Sequence, residues 1–234
     1  MKFSRAVPWL VLTLFFSACA SVQTPVALKS GALAAPARIG VAMTPMPQAG
    51  TYIWHAQNCV LCYAAGMSSF AGLGEHLKTV STYRLSQLKI EMAALAKQNG
   101  ARVVLIDEAL DPESFPTADA RLPDSARRDF SSLRRKYDID KLLVVQIDWL
   151  GASRYYSYRG LEEPLASVWG SAYLINLNNH TYEWYIPLAV DLKTSADWNK
   201  APYTVFTDRY IQAMETSRNY LLAPLKTAPS DGHR

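Results

Sequence analysis

The sequence predicts an α/β protein: a single domain built as a mixed sheet with helices packed on it. Two observations support this fold class. Apolar runs typical of buried strands alternate along the chain with segments whose apolar residues recur every three or four positions. The 234 residues are also 50% hydrophobic and only 19% charged, which is enough apolar material for one core. The expected order of elements is β-α-β-α-β-β-β-α.

The first part of the predicted domain contains two strands and one helix. Arg38–Pro45 is a first strand, which prolines end. Residues 81–100 form a helix that stops at Gly100. One face of this helix collects the apolar residues Leu85, Leu88, Met92 and Leu95. Residues 101–108 follow as a buried strand, and an irregular stretch continues through residues 110–123.

The second part contains two helices around the strongest strand signals. A helix over residues 124–137 is expected, with Asp124 or Ser125 as its N-cap. Residues 141–151 form the clearest strand, and residues 168–188 form a hairpin that turns at Asn178–Asn179. A last amphipathic helix buries Tyr210, Met214 and Leu221 and stops at Pro224.

The N-terminus has the features of an export signal. Lys2 and Arg5 precede an apolar run that is shorter than the about 20 residues a membrane span needs. The run leads into "FSAC", which resembles the lipobox of bacterial lipoproteins, with Phe16 where leucine is usual. That resemblance implies cleavage after residue 18 and a lipid on the thiol of Cys19. An ordinary cleaved signal is the alternative. By resemblance to the sorting rule of Gram-negative lipoproteins, the residue after the cysteine, Ala20 rather than aspartate, implies the outer membrane and its periplasmic face.

These features predict four parts of the chain. Residues 1–18 are the signal, residues 19–37 a lipid anchor with a flexible tether, residues 38–225 the domain, and residues 226–234 a disordered tail. Removing the signal takes away two of the 24 basic residues and none of the 20 acidic ones. A nearly neutral chain argues against a nucleic-acid partner, which normally requires a basic face.

Cys59 and Cys62 are separated by two residues, a spacing that occurs in four kinds of site. In an oxidising compartment the pair can close a small disulfide ring. A thioredoxin-like redox site uses the same spacing at the start of a helix, usually with tryptophan immediately before it, where this chain has Asn58. A c-type haem needs histidine at the position of Tyr63, and that reading is nearly excluded.

A zinc site is the fourth interpretation of this segment. His55 and His76, together with the two cysteines, would supply four ligands. The spacing is not a known finger pattern, and His76 lies far from the rest. The sequence favours the disulfide and predicts no cofactor.

Two further segments each allow two interpretations, a binding surface or an ordinary structural element. Residues 61–74 combine small residues with apolar ones. They form either a helix packed on the sheet or an apolar element for a partner or the membrane surface. Residues 153–160 interleave tyrosine and arginine, as recognition surfaces do, or are merely an exposed strand extension. The candidate partner-binding residues are Arg154, Tyr155, Tyr156, Tyr158 and Arg159.

Asp107 and Asp148 sit near the carboxyl ends of strands, where open α/β sheets bind ligands. No third catalytic group accompanies them. We therefore expect these aspartates to cap loops or to pair with arginine or lysine.

Three stretches resemble an uncharacterised group of proteobacterial lipoproteins: "CVLCYAAG", "RRDFSSLRRKYDIDKLLVVQI" and "GSAYLINLNNHTYEWYIPLAV". The order of elements also resembles the periplasmic α/β domain of curli-secretion lipoproteins and the N-terminal domain of the Tol propeller. These resemblances imply the location and the fold but no catalytic residues. The expectation is a non-enzymatic envelope lipoprotein that binds or scaffolds another envelope protein, or assembles with copies of itself. The alternative is a thiol-active or zinc-binding enzyme that uses Cys59 and Cys62.

Overall fold

The computed structural model describes residues 23–55, 59–118 and 124–227. Within these ranges seven strands form one sheet, and helices pack on it. The strands are β1 (Arg38–Met43), β2 (Gly50–Trp54), β3 (Arg102–Leu105), β4 (Lys141–Ser157), β5 (Gly160–Leu161), β6 (Leu165–Asn176) and β7 (Thr181–Lys193). The helices are α1 (Val60–Ser68), α2 (Ala71–Thr79), α3 (Tyr83–Ser86), α4 (Leu88–Gln98), α5 (Ser131–Tyr137) and α6 (Thr204–Lys226).

The sheet is mixed, which confirms the predicted fold class. Its strand order is β3-β1-β4-β6-β7. Strand β1 runs parallel to both β3 and β4, whereas β4, β6 and β7 form an antiparallel meander. The meander contains the predicted hairpin, whose turn lies at the expected asparagines.

Strand β4 changes partner along its length. Its first residues pair with β1, and from Gly151 onward they pair with β2, also in parallel. Gly151 has φ +145°, and a Cβ atom there would lie 1.9 Å from the carbonyl oxygen of Gly50. Glycine therefore permits β2 to approach β4. Because β2 joins the sheet, Tyr52 and Trp54 lie beside the second half of β4.

The two faces of the sheet are covered differently. Helices α2, α4 and α6 bury the whole of one face and create the larger core. The other face is covered only along the first half of β4, where α5 and its flanking loops form a second cluster. That cluster contains Ile106, Leu110, Phe130, Leu133 and Ile139 from the covering segment. The second half of this face has no such cover among the described residues.

Several predicted boundaries were wrong. The helix over residues 81–100 is two helices that meet at Gln87. Strand β3 is an edge strand with Leu105 39% exposed, not a buried strand, because only β1 pairs with it. Helix α5 does not begin after Asp124 or Ser125. Both of these residues instead join the β6–β7 turn: the Tyr182 amide donates to the Asp124 carbonyl, and Ser125 bridges to Thr181.

Helix α6 buries the predicted face, including Tyr210, Met214 and Leu221, but does not stop at Pro224. A proline in the last turn removes only one helical donor, and the helix continues to Lys226. The Thr227 amide then donates to the Ala223 carbonyl at 3.2 Å. The rest of the predicted tail lies outside the described residues.

Residues 26–33 form a strap along the free edge of β7, where the sequence predicted a flexible tether. The backbones of Val26 and Tyr185 exchange two hydrogen bonds of 2.9 Å, and the Lys29 amide donates to Glu183 at 3.0 Å. Ala32 and Leu33 are buried in the larger core. The strap pairs with the edge of β7 and so satisfies donors and acceptors that the edge would otherwise leave open. That pairing is why the structure differs here from the predicted tether.

Candidate functional site: an exposed apolar corner

Helix α1 has an apolar sequence but leaves most of it exposed. Val60 is 80% and Leu61 83% exposed, and Tyr63 is 41% exposed. Gly66 is the residue that α1 buries. The stretch over residues 61–74 therefore combines both interpretations: Phe70 and Leu73 are buried in the larger core, whereas the first turn of α1 is exposed. Large apolar side chains grouped at the surface are typical of an interaction site.

Gly66 sets how closely α1 lies on the sheet. A Cβ atom at this position would lie 3.1 Å from Cγ1 of Ile53 and 3.4 Å from Cδ2 of Leu161. The bare glycine lets the helix backbone pack against β2 and β5 together. Helix α1 is thus held by close backbone packing, with Cys62 and Met67 partly buried against the larger core, while Val60 and Leu61 stay exposed.

The hairpin of β4 and β5 packs on α1, because a Cβ atom on Gly66 would lie 3.4 Å from Cδ2 of Leu161 in β5. Tyr158 in this turn is 89% exposed, and Arg159 Nε donates to its hydroxyl at 2.8 Å. We define the apolar corner as Val60, Leu61, Tyr63 and Tyr158. It brings together the two segments that the sequence singled out for binding.

Arg154 was predicted to contact a partner, and that prediction is wrong, because the residue is only 8% exposed. Its guanidinium donates to the Glu162 carbonyl at 2.5 Å, to the Leu161 carbonyl at 3.4 Å and to Ser69 Oγ at 3.0 Å. Ser69 is the C-cap of α1. Arg154 therefore ties the end of α1 to the residues that follow β5 and holds both parts of the corner in place.

Aromatic rings complete the surroundings of Arg154. Its guanidinium carbon lies 5.1 Å from the ring centre of Trp198 and 5.8 Å from that of Phe70. Such cation–π contacts strengthen when water is excluded. Burial lowers the pKa of Arg154 from its ordinary value, and the charge of Glu163 opposes that shift. Arginine nevertheless remains charged at neutral pH.

A disulfide joins Cys59 and Cys62 at the start of α1, with 5.1 Å between their Cα atoms. Cys59 is also the N-cap, since its sulfur accepts the Cys62 amide at 3.1 Å. The bridge therefore fixes the first turn of the helix, the turn that carries Val60 and Leu61. This turn follows β2, the strand that the sequence did not predict.

The other side chains proposed for zinc are not gathered around this pair. His76 Nε2 lies 2.8 Å from Thr207 Oγ1 of α6, and its ring contacts Tyr203. Over residues 23–55, 59–118 and 124–227, no group of three or more histidine, cysteine or acidic side chains is placed to hold a metal ion.

Beside the corner, the uncovered half of the sheet carries a continuous group of rings. We define this aromatic face as Tyr52, Trp54, Trp149, Tyr155 and Trp169. Trp149 stacks on Trp169 with centroids 4.4 Å apart, and Trp54 lies 5.0 Å from Trp169 and 6.0 Å from Tyr155. Trp169 Nε1 donates to Asp191 at 3.0 Å. All five rings are partly exposed.

The predicted tyrosines are therefore divided between different surfaces. Tyr155 belongs to the aromatic face, Tyr156 packs against the larger core, and Tyr158 belongs to the corner. The sequence analysis missed Trp149 and Trp169. Each lies in a predicted strand, and alternation with Val168 and Ala172 would have placed Trp169 on the face opposite the larger core. Strict alternation would have placed Trp149 with Val145 and Ile147, and the register shift between Ile147 and Trp149 changes its face.

A cavity of about 630 Å³ adjoins the aromatic face. Among its lining residues are Gln23, Asp148, Ser171, Tyr173 and Tyr185. Asp148 accepts a hydrogen bond from Gln146 Nε2 at 2.7 Å. Asp107 is exposed after β3, and β1 separates that strand from β4. The two aspartates therefore do not form a carboxylate pair.

The predicted lipidation site, Cys19, lies outside the described residues. No described helix is both long enough and apolar enough to cross a bilayer.

No protein-family model and no curated protein matches this sequence. Among solved structures, the chain is similar to the PelC dodecamer from Paraburkholderia phytofirmans, with 12% identity over 86% of this chain and 96% of that chain and a TM-score of 0.34. Lipoprotein GNA1162 from Neisseria meningitidis is 15% identical over 78% of this chain and 100% of its own, with a TM-score of 0.29. Likenesses this low assign no role to any residue here.

Proposed function

We propose that this chain is an outer-membrane lipoprotein, anchored through Cys19, whose periplasmic domain binds another envelope protein without catalysing a reaction. The apolar corner is the binding surface. The observation that carries the proposal is the exposure of Val60 and Leu61 on a helix whose position is fixed.

Three contacts hold the corner ready for a partner. The disulfide fixes the first turn of α1, Gly66 seats its middle on the sheet, and Arg154 holds its end through Ser69. A preorganised surface loses little conformational entropy on binding. Exposed leucine and tyrosine on such a surface favour a specific protein partner, because each offers a large apolar contact area.

The composition of α1 favours protein over lipid at this surface. Helices that lie in a membrane interface carry lysine and arginine on their polar face. Residues 60–68 include no charged side chain. A second copy of the chain is one form that the protein partner can take.

Site-specific photocrosslinking in the intact envelope tests this function. A photoreactive phenylalanine replaces Leu61, and in a matched control it replaces Ile90, which is 49% exposed on α4. We expect a single protein adduct of defined mass from position 61 and none from position 90. Equal adduct patterns from both positions, or only lipid adducts from position 61, would contradict the proposal.

A thiol-active envelope enzyme is the second candidate, and one observation favours it. The disulfide follows a strand and begins a helix, where the helix dipole stabilises a thiolate. The oxidised pair would take two electrons and two protons from a substrate dithiol, which leaves as a disulfide. In Cys62→Ser the remaining Cys59 thiolate can attack the substrate disulfide, from which one sulfur leaves as a thiol, and without Cys62 the resulting mixed disulfide persists. A trapped substrate in the envelope supports this candidate, and folded Cys62→Ser protein without one counts against it.

A further inference from the structure

The strap shortens the connection between the domain and its proposed anchor. A free tether from Cys19 to Arg38 would span tens of ångströms. Instead, the first described residue, Gln23, already lines the cavity beside the aromatic face. Val26, three residues later, is hydrogen-bonded to β7.

Only four peptide units separate Cys19 from Gln23. At the full extension of about 3.6 Å per residue, they reach no more than about 14 Å. A lipid on Cys19 therefore holds the bilayer surface within that distance of Gln23. The strap cannot easily release more chain, because Ala32 and Leu33 are buried and Lys141 Nζ donates to the Ala32 carbonyl at 2.7 Å.

The cavity that Gln23 lines borders the aromatic face, although none of the five rings of that face is among the residues that line it. The cavity that Gln23 lines also includes Asp148 and Ser171. Ser171 lies two residues from Trp169 on β6, so both side chains point to the same face. Asp148 lies at the register shift between Ile147 and Trp149, where the alternation of β4 is interrupted. Tryptophan and tyrosine are the side chains that collect at the interface between lipid and water.

We propose that the docked strap holds the aromatic face against the surface of the bilayer. The occupant of this face is the lipid headgroup region, and the apolar corner is left to the protein partner. The proposal rests on the proposed lipid anchor at Cys19. The strap acts as a fixed spacer: it sets the distance of the domain from the membrane and its orientation.

Fluorescence quenching by brominated lipids tests this orientation. The lipidated protein is purified from the envelope and placed in phosphatidylethanolamine and phosphatidylglycerol vesicles whose acyl chains carry bromine near the headgroup. We expect strong quenching of tryptophan emission. The Trp149→Phe/Trp169→Phe variant should lose more than about half of that quenching, because it removes the rings nearest the lipid. Trp184→Phe, which changes a buried ring in the larger core, should keep it.

A second variant tests the spacer. Insertion of twelve glycine and serine residues after Ser21 lengthens the connection and leaves the strap intact. The insertion should reduce the quenching by more than about half, since a longer flexible linker allows the domain to leave the surface. Unchanged quenching in this variant would overturn the role of the strap.

The intact mass of the purified protein distinguishes failure of the proposed lipid anchor from failure of the proposed orientation. A protein without lipid on Cys19 contradicts both the proposed anchor and this orientation. A lipidated protein whose emission is not quenched, or is quenched equally after Trp149 and Trp169 are replaced, contradicts the orientation alone. Leu61→Ser should leave the quenching unchanged, so loss of the protein partner does not affect this result.

Discussion

Helices α1 and α6 differ in how the apolar content of the sequence corresponds to the burial of the side chains. Helix α6 interleaves charged and apolar residues along 23 positions and buries one side, which includes Phe206, Tyr210 and Leu221. Helix α1 contains no charge in nine positions and buries only Gly66. The more apolar helix is the more exposed one. Apolar composition therefore does not by itself place a helix in the core, whereas amphipathic spacing does.

The difference also separates two kinds of stabilisation. Helix α6 is held by side chains packed into the larger core, including Phe206, Tyr210 and Met214. Helix α1 is held by a disulfide, a close backbone contact and hydrogen bonds from Arg154. Mutations in α6 should therefore change the stability of the whole domain, whereas mutations at the exposed positions of α1 should change binding.

Phe206→Ala should have the largest effect. The ring is fully buried, and its removal leaves a cavity beneath α6. We expect a loss of about 3–5 kcal/mol in the free energy of unfolding, measured by urea denaturation. A loss below about 1 kcal/mol would show that α6 does not hold the core as described.

Arg154→Met should reduce the free energy of unfolding by a smaller amount and should loosen the apolar corner. Methionine keeps much of the side-chain volume but donates no hydrogen bond to Ser69, Leu161 or Glu162. We expect a loss of about 1–3 kcal/mol, together with faster amide exchange in α1. Arg159→Met is the matched control, because Arg159 is exposed, and its effect should stay within about 0.5 kcal/mol. Equal effects of the two substitutions would contradict the role given to Arg154.

Loss of the disulfide should have a smaller effect still. Serine is a good N-cap, so Cys59→Ser/Cys62→Ser removes the covalent bridge and keeps a capping oxygen. We expect a loss of about 2 kcal/mol or less, because the closed ring is small. Cys59→Ala/Cys62→Ala removes the bridge and the capping atom together, and the free energy of unfolding should fall by roughly 1 kcal/mol more. Hydrogen exchange should locate the change in α1, and a global change in exchange would argue against a local role.

Leu61→Ser should have the smallest effect on stability. The side chain is exposed, so the free energy of unfolding should change by no more than about 0.5 kcal/mol. The photocrosslinked adduct, formed from a reactive group at Tyr63, should nevertheless disappear. A destabilised Leu61→Ser protein would mean that this residue supports the fold rather than a partner.

The sequence predicted the parts of the fold whose signals are local. Strands β4, β6 and β7 are long runs of apolar and β-branched residues, and the turn at Asn178–Asn179 carries its own signal. Strand β2 was missed because it has five residues and its partner follows much later in the chain. The end of α6 was predicted too early, because a proline in the last turn costs only one hydrogen bond.

The site was predictable only in part. The sequence singled out Cys59, Cys62 and the segment around Tyr158, which proved to be neighbours. It could not show that Arg154 is buried, because the groups that satisfy its donors, Ser69 and Glu162, come from separate elements. The docking of the strap was equally hidden, since small, proline-bearing segments resemble linkers unless a sheet edge is free to pair with them.

The central claim is that α1 is exposed because a protein partner binds it. Native mass spectrometry of the lipidated protein from the envelope tests this claim most directly, with Leu61→Ser compared against Ile90→Ser. We predict that the wild type and Ile90→Ser retain a second protein component, either another envelope protein or a further copy of this chain, and that Leu61→Ser loses it while staying folded. A bare monomer in all three samples, or retention of the component by Leu61→Ser, would contradict the claim.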